Sequence, residues 1–362
     1  MGNQDRLAGG EDWLDPDQDE LPSIGRAWRR PEFLRALAVA LLAAIAIALP
    51  LYFGHQNSHG PPASRAPNSP VFGFEAAFAY DADRRQELLF DNNGNTWVWS
   101  KRHWLLARPQ VSPQPRHSAT AAWHPQMHRV LLFGGYAQGS NQPLGDTWAW
   151  TGSTWMKLED STRVPPGGSV RMAYDRERQE MVLILAGSPV APLTETWSWD
   201  GSRWQQKLAS VLPYRSPFTA AYDAVTRSIL MVAHTQDGRR SETWSWDGGS
   251  WQRLAPAHKP SASAHMLLML EPISGKLFLL QEVGDQTGGP IDTETWAWDG
   301  HDWLLVLKTS EPSNPAGAAA VMDGAHLVLA VFGTVGDAAS RSPLAAVWTW
   351  AGGTWVRLQP IR

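Results

Sequence analysis

A Thr-Trp-x-Trp segment followed five residues later by another Trp recurs through most of the chain, and it constrains the fold more than any other feature. It reads Thr96-Trp97-Val98-Trp99 with Trp104, Thr147-Trp148-Ala149-Trp150 with Trp155, and Thr196-Trp197-Ser198-Trp199 with Trp204. Thr243-Trp244-Ser245-Trp246 with Trp251, Thr295-Trp296-Ala297-Trp298 with Trp303, and Val347-Trp348-Thr349-Trp350 with Trp355 complete the series. The first Trp of each copy falls at 97, 148, 197, 244, 296 and 348, so the copies lie 51, 49, 47, 52 and 52 residues apart. The pattern absorbs 18 of the 21 Trp and leaves only Trp13, Trp28 and Trp123 outside it. A period of about 50 residues marks an architecture of stacked units, none of which buries its apolar face alone. Six such units fill residues 72–362.

Each unit divides into four predicted strands. Strand A is small and apolar and closes with an aromatic and a turn: AAFAYD (76–81), TAAWHP (120–125), VRMAYD (170–175) and TAAYD (219–223). Strand B is a continuous apolar run: ELLF (87–90), RVLLFGG (129–135), MVLIL (181–185), SILMVA (228–233), KLFLL (276–280) and LVLAVFG (327–333). Strand C is the Thr-Trp-x-Trp segment and strand D begins at the third Trp. Asp200-Gly201, Asp247-Gly248 and Asp299-Gly300 lie between C and D, where Gly supplies the positive φ of a tight hairpin. Side chains alternate along a strand, so both Trp of strand C leave one face while the Thr and the small intervening residue leave the other. The Trp face of one sheet is therefore expected to press into the small-residue face of its neighbour, with the sheets arranged radially so that few edges stay open. The 31 Gly, 27 Pro and 18% charged residues suit many short strands and turns.

These residues resemble the kelch-type β-propellers, and within them the bacterial kelch-repeat proteins built on Thr-Trp-x-Trp-Asp-Gly-x-x-Trp units; the implied fold is similar to the central propeller of galactose oxidase. Val130-Leu131-Leu132-Phe133-Gly134-Gly135 matches the family's apolar run with its Gly pair. The resemblance covers about 72–362. Ala186-Gly187 stands for the Gly pair in the third unit, and the strand-A aromatic becomes Leu270 and Met322 in the last two. The resemblance implies an all-β, six-bladed propeller that binds a protein or a glycan, enzymes being a minority of the family. It also implies arginines at the channel mouth, where Arg116 and Arg215 stand seven residues before a strand-A aromatic. Galactose oxidase chemistry requires a Cys crosslinked to Tyr, and the chain has no Cys.

Ahead of the repeats, residues 36–53 carry no charge, and at about 1.5 Å per residue such a run comes close to spanning the hydrocarbon core of a bilayer. Arg26, Arg29, Arg30 and Arg35 crowd its N-terminal flank and no base follows until Arg65, which places the N-terminus in the cytoplasm by the positive-inside rule. A cleaved signal peptide is the competing reading, but the leader is long and no small-x-small site follows Pro50. The expected layout is an acidic cytoplasmic tail at 1–32, a single transmembrane helix at 33–54, a Pro/Ser-rich tether at 55–71 and an extracytoplasmic propeller at 72–362.

The formal net charge of −4 speaks against a nucleic-acid partner. The 11 His show no metal-binding spacing, so no metal and no cofactor is expected. His124 takes the place of a repeat Asp and, with His103 and His301, reads as a solvated turn residue. Asp146, Glu195, Glu242 and Glu294 precede the Thr of Thr-Trp in four units and read as acceptors for backbone N–H groups at their own strand starts. The B–C loops at 134–146, 233–242, 281–294 and 332–346 differ in every unit and share one rim with the D–A connections, which makes that rim the default binding surface. Candidate binding residues there and at the channel mouth are Arg116, His117, Tyr136, Arg215, Arg239, Arg240 and His265; no catalytic set converges. The chain reads as a membrane-tethered, non-catalytic module for an extracytoplasmic protein or glycan. The rival reading is a carbohydrate-active enzyme of epimerase or hydrolase type that uses Arg116, Arg215, His117 or His265 at the channel mouth.

Overall fold

The computed structural model describes residues 76–358 except 101–102, 159–163, 189–190, 213–216, 236–239, 264, 272, 285–290, 313–317, 324–325 and 332–345. The expected tail (1–32), transmembrane helix (33–54) and tether (55–71) lie outside the described residues, as does most of the 332–346 loop. Among the described residues every regular element is a strand, and no helix is long and apolar enough to cross a membrane.

The strands form an all-β propeller of four-stranded antiparallel sheets, six in number among the described residues. The first comprises β1 (Ala77–Asp81), β2 (Gln86–Phe90), β3 (Thr96–Ser100) and β4 (His103–Ala107). The second repeat runs through β5 (Arg116–His117), β6 (Thr120–His124), β7 (Arg129–Phe133), β8 (Tyr136–Ala137), β9 (Thr147–Trp150) and β10 (Trp155–Leu158). The third sheet holds β11 (Ser169–Asp175), β12 (Glu180–Ser188), β13 (Ala191–Trp199) and β14 (Trp204–Leu212). The fourth holds β15 (Phe218–Asp223), β16 (Ser228–His234), β17 (Ser241–Trp246) and β18 (Trp251–Arg253). The fifth has β19 (Met266–Leu270), β20 (Leu277–Gly284), β21 (Ile291–Trp298) and β22 (Trp303–Thr309), and the sixth β23 (Ala318–Asp323), β24 (His326–Val331), β25 (Ala346–Ala351) and β26 (Thr354–Leu358).

The expectation of a six-bladed propeller is met only in part, by five regular blades. Five sheets are meanders in unbroken chain order, whereas in the second repeat β5 and β8 pair as a separate ribbon and only β6, β7, β9 and β10 form the sheet. Gly134 (φ 67°) and Gly135 (φ 88°) cause the difference, because two successive left-handed residues end β7 at Phe133. A Cβ on Gly135 would collide with the carbonyl of His117, so only Gly lets the departing chain lie against β5. The loop expected at 281–294 is also largely strand: Gln281 pairs with Glu294 and Val283 with Asp292, since alternation continues past the repeat core.

Each sheet rests its Trp face on the sheet before it. Trp150 and Trp155 pack against Ala77, Ala79, Leu88 and Phe90 of the first sheet, and Trp197, Trp199 and Trp204 against Leu131, Phe133 and Ala149 of the second. Trp246 and Trp251 meet the third sheet, Trp298 and Trp303 the fourth, and Trp355 the fifth. Trp97, Trp99 and Trp104 of the first sheet meet Val347 and Leu358 of the sixth. Strand C of the receiving face presents small residues such as Ala149 and Ala297, strand B fills its middle with Leu, Ile, Val and Phe, and strand A, small in the first sheet, presents Leu267 and Met269 in the fifth. In all six sheets the second and third Trp meet across the C–D hairpin, with ring centroids 5.1–5.5 Å apart. Such pairs add about 0.5–1.5 kcal/mol each to area burial.

Turn chemistry finishes each repeat. Gly201, Gly248 and Gly300 have φ of 99°, 95° and 98°, and the Asp before each accepts the N–H groups of the hairpin. At the A–B turn, buried Asp81, Asp175 and Asp223 accept the N–H groups of Arg84, Glu177 and Val225. His124 does the same work, its Nδ1 accepting the N–H of Met127 at 3.3 Å. It is 1% exposed, so its reading as a solvated turn residue is corrected; burial pushes its pKa down. His103 and His301 are exposed.

Candidate functional site

The B–C loops and D–A connections share one face, and a cavity of about 250 Å³ opens there between the second and third sheets. Ser118, Tyr136, Gly168, Ser169, Arg171 and Gly187 contribute to its lining. The β5–β8 ribbon builds its wall. Register places His117 opposite Tyr136, and the two rings stack at 5.6 Å with an interplanar angle of 16°. His117 is held at both ring nitrogens, Nδ1 by the Ser118 hydroxyl at 2.9 Å and Nε2 by the Asn141 side-chain oxygen at 3.1 Å. The Gly168 N–H donates to the Tyr136 hydroxyl at 2.7 Å and so ties the ribbon to the third sheet. Ser118 itself has φ 59°, a left-handed conformation that costs a non-glycine residue roughly 1–2 kcal/mol.

Arg116 anchors the ribbon from beneath. It is 1% exposed and grips Asp146 with two nitrogens, at 2.5 and 3.0 Å, while also donating to the carbonyls of Gln114 and Gly134. Burial pushes the Asp146 carboxyl up, but the bonds and charge of Arg116, with the Trp148 indole, hold it below the ordinary value. The structure thus gives the donors of Arg116 to protein acceptors.

The carboxylates ahead of Thr-Trp act differently from their expected role. Asp146, Glu195, Glu242 and Glu294 accept the indole N–H of the Trp two residues on, at 2.7–3.2 Å, because alternation puts residues i and i+2 on one face. They are Trp clamps rather than acceptors for their own strand's backbone.

A second polar group lies on the same rim at the fourth and fifth sheets. His265 Nδ1 bonds the Glu282 carboxylate at 2.6 Å, and buried His234 bonds the Ser263 carbonyl at 2.6 Å. Burial lowers the pKa of His234. Neither His234 nor Glu282 stands out in the sequence, where both merely follow an apolar run. Arg240 is exposed, with its backbone held by Thr235. Arg215 and Arg239 lie outside the described residues. The structure therefore brings Arg116, His117 and Tyr136 together at the ribbon and places His265 and Arg240 with the fourth and fifth sheets.

Among the described residues no group of three or more His, Asp or Glu could hold a metal ion. What the ribbon site offers is a small polar recess with one aromatic wall and hydrogen-bonding edges. No family model matches the chain, and no curated protein matches it.

Proposed function

We propose that this chain is a kelch-type, six-bladed propeller of bacterial origin, tethered to a membrane by residues 33–54, that binds an extracytoplasmic protein or envelope glycan without turning it over. The propeller is a scaffold that commonly serves for binding, and the observation that carries the reading is the rim cavity beside the Tyr136–His117 stack. It lies on the face where the connections vary, supported by strands that do not. The second repeat acts as the sixth blade, its ribbon being an addition to the rim. An enzyme would need an acid or base next to an anion-holding arginine, and Arg116 has its donors committed to Asp146 and to carbonyls.

The test is to display the full chain in nanodiscs on a glycan array and to incubate it with the glycans it retains. Retention without product, weakened at least tenfold by Tyr136→Ala, is expected for a glycan ligand. Turnover of a retained glycan supports the enzyme and contradicts the module.

A further inference from the structure

Trp123 is the one Trp among the described residues that lies outside the repeat. It stands directly before the residue that closes strand A, where the first, third and fourth sheets carry Tyr80, Tyr174 and Tyr222, and the fifth and sixth Leu270 and Met322. The first strands of successive sheets, β1, β6, β11, β15 and β19, lie beside one another, so this position sits at the inner end of each sheet on the face of the A–B turns, opposite the rim. Tyr80, Trp123, Tyr174 and Tyr222 are all half-buried. Two of them are fixed from behind: Trp123 packs against the cluster shared by the first and second sheets, and the Tyr174 ring rests on buried His124 with centroids 5.1 Å apart.

A cavity of about 470 Å³ opens on this face across the first three sheets. Small-molecule sites span about 300–1,000 Å³, a range that this cavity enters and the rim cavity, at about 250 Å³, does not. Trp123 and Tyr174 supply its aromatic surface, and Gln126, Gln179 and Arg176, all exposed, its polar groups. Those polar groups are uncommitted. Among the described residues the Trp123 indole N–H, the Tyr174 hydroxyl and the two Gln side chains make no hydrogen bond, and Arg176 makes no ion pair, its guanidinium lying 5.9 Å from the centre of the Tyr222 ring. The acids of the same turns are spent on other bases: Asp81 on Arg84, Asp83 on His128, Asp175 on Arg178 and Glu177 on Arg227. No carboxylate lines the cavity.

We infer that this cavity is a second binding site, for a saccharide, in which a pyranose ring stacks on Trp123 and Tyr174 while its hydroxyls bond Gln126, Gln179 and Arg176. The chemistry of the lining selects this class. A pyranose pairs a flat C–H face, which suits an aromatic ring, with hydroxyls that both donate and accept. The amides offer both roles, and the indole N–H and guanidinium add donors. A wholly apolar ligand would take these polar groups from water and give them no partner. A cationic ligand would meet Arg176 and no acid. The site shares no residue with the rim cavity, and the C–D turns, which join the outer strands, lie outside it.

Saturation-transfer NMR on the full chain in nanodiscs tests this with methyl β-glucopyranoside, methyl β-glucuronide and methyl N-acetyl-β-glucosaminide as probes and cyclohexanol as the apolar ring for comparison. The expected result is transfer to the ring C–H protons of at least one glycoside, weakened about fivefold or more by Trp123→Leu and by Gln126→Ala. Trp123→Tyr, which restores the aromatic of the other sheets, and Tyr136→Ala at the rim should both retain it. Near-ultraviolet circular dichroism checks the fold of Trp123→Leu, and Gln126, exposed and without a side-chain partner, decides the outcome if that variant does not fold. No transfer to any glycoside overturns the inference and leaves the rim reading as it stands. Transfer that survives Gln126→Ala and Trp123→Leu but is lost with Tyr136→Ala assigns the sugar to the rim and overturns the second site. Cyclohexanol saturated as strongly as the glycosides, with no effect of Gln126→Ala, marks an apolar cleft that reads no hydroxyl and overturns it as well.

Discussion

The indole N–H of Trp155 donates to the hydroxyl of Thr96 at 2.8 Å, joining strand D of the second sheet to strand C of the first. The same bond recurs from Trp204 to Thr147, Trp251 to Thr196, Trp303 to Thr243 and Trp355 to Thr295, at 2.8–3.0 Å. The third Trp and the Thr of the repeat are thus one device split between neighbouring units, which is why both recur at the repeat period. At the junction of the sixth and first sheets Val347 stands in the Thr position and packs against the Trp cluster without a hydroxyl.

Thr147→Val should make the second junction resemble the closing one. Removing the acceptor of a buried indole costs about 1–3 kcal/mol, to be read as a lower denaturant midpoint with an unchanged m-value. Thr147→Ser should retain most of the stability, and equal stability of the Val variant and the parent would refute the role assigned to the bond.

Trp204 is buried against Phe133, with ring centroids 5.6 Å apart. Trp204→Ala should destabilise by about 3–5 kcal/mol through the cavity it leaves. Calorimetry that finds thermal stability unchanged would remove the Trp residues from the packing account.

Two glycines with nearly the same φ should respond differently to one added methyl group. Nothing lies within 4 Å of a Cβ built on Gly201, whereas one on Gly248 would run into the Arg178 side chain from the adjoining A–B turn. Gly201→Ala should cost roughly 1–2 kcal/mol for the left-handed backbone alone, and Gly248→Ala more. The same loss at both sites would show that the Arg178 contact is inconsequential.

Acid should weaken the fold before its carboxylates titrate. Burial lowers the folded pKa of His124 and His234, so the unfolded chain binds protons that the folded chain resists. Their contribution is fully present above the ordinary histidine pKa of about 6.5 and declines as pH falls below it. Urea midpoints at pH 7.5 and 5.5 should differ in that direction, and His124→Asp, which restores the residue that four of the other five repeats carry, should narrow the gap. A midpoint independent of pH over this range would contradict the assignment.

The repeat, its four strands and its Trp face were legible because each is written in period: Trp97 and Trp99 share a face by alternation, and the Asp-Gly turns carry their own geometry. The ribbon was not, since Arg116–His117 and Tyr136–Ala137 pair across 20 residues and no local periodicity announces it. Asp146 and His124 depart from their sequence expectation for a related reason. Both sit where strands end, and only tertiary contact decides whether such a side chain meets water, a backbone N–H or an indole. The same holds for Arg116, whose spacing suggests a channel mouth and whose guanidinium is buried on Asp146.

Arg116→Ala should act on the fold first. It strips the half-buried Asp146 of its bidentate partner, a change that costs about 3–5 kcal/mol when one member of a buried pair is removed. Native-state proteolysis should find the 134–146 segment cut faster. Unaltered stability with a lost ligand would return Arg116 to the binding site.

The rim is the central claim, and a photo-crosslinking amino acid placed in the full chain in intact cells tests it most directly. Gln138 is exposed beside the β5–β8 ribbon, and Ser153 is exposed on the C–D turn of the same repeat, on the opposite face. Crosslinking at Gln138 to a protein or to glycan, lost with Tyr136→Ala and absent at Ser153, is the predicted result. Crosslinking at Ser153 with none at Gln138 would move the binding face to the other side of the propeller and contradict the account.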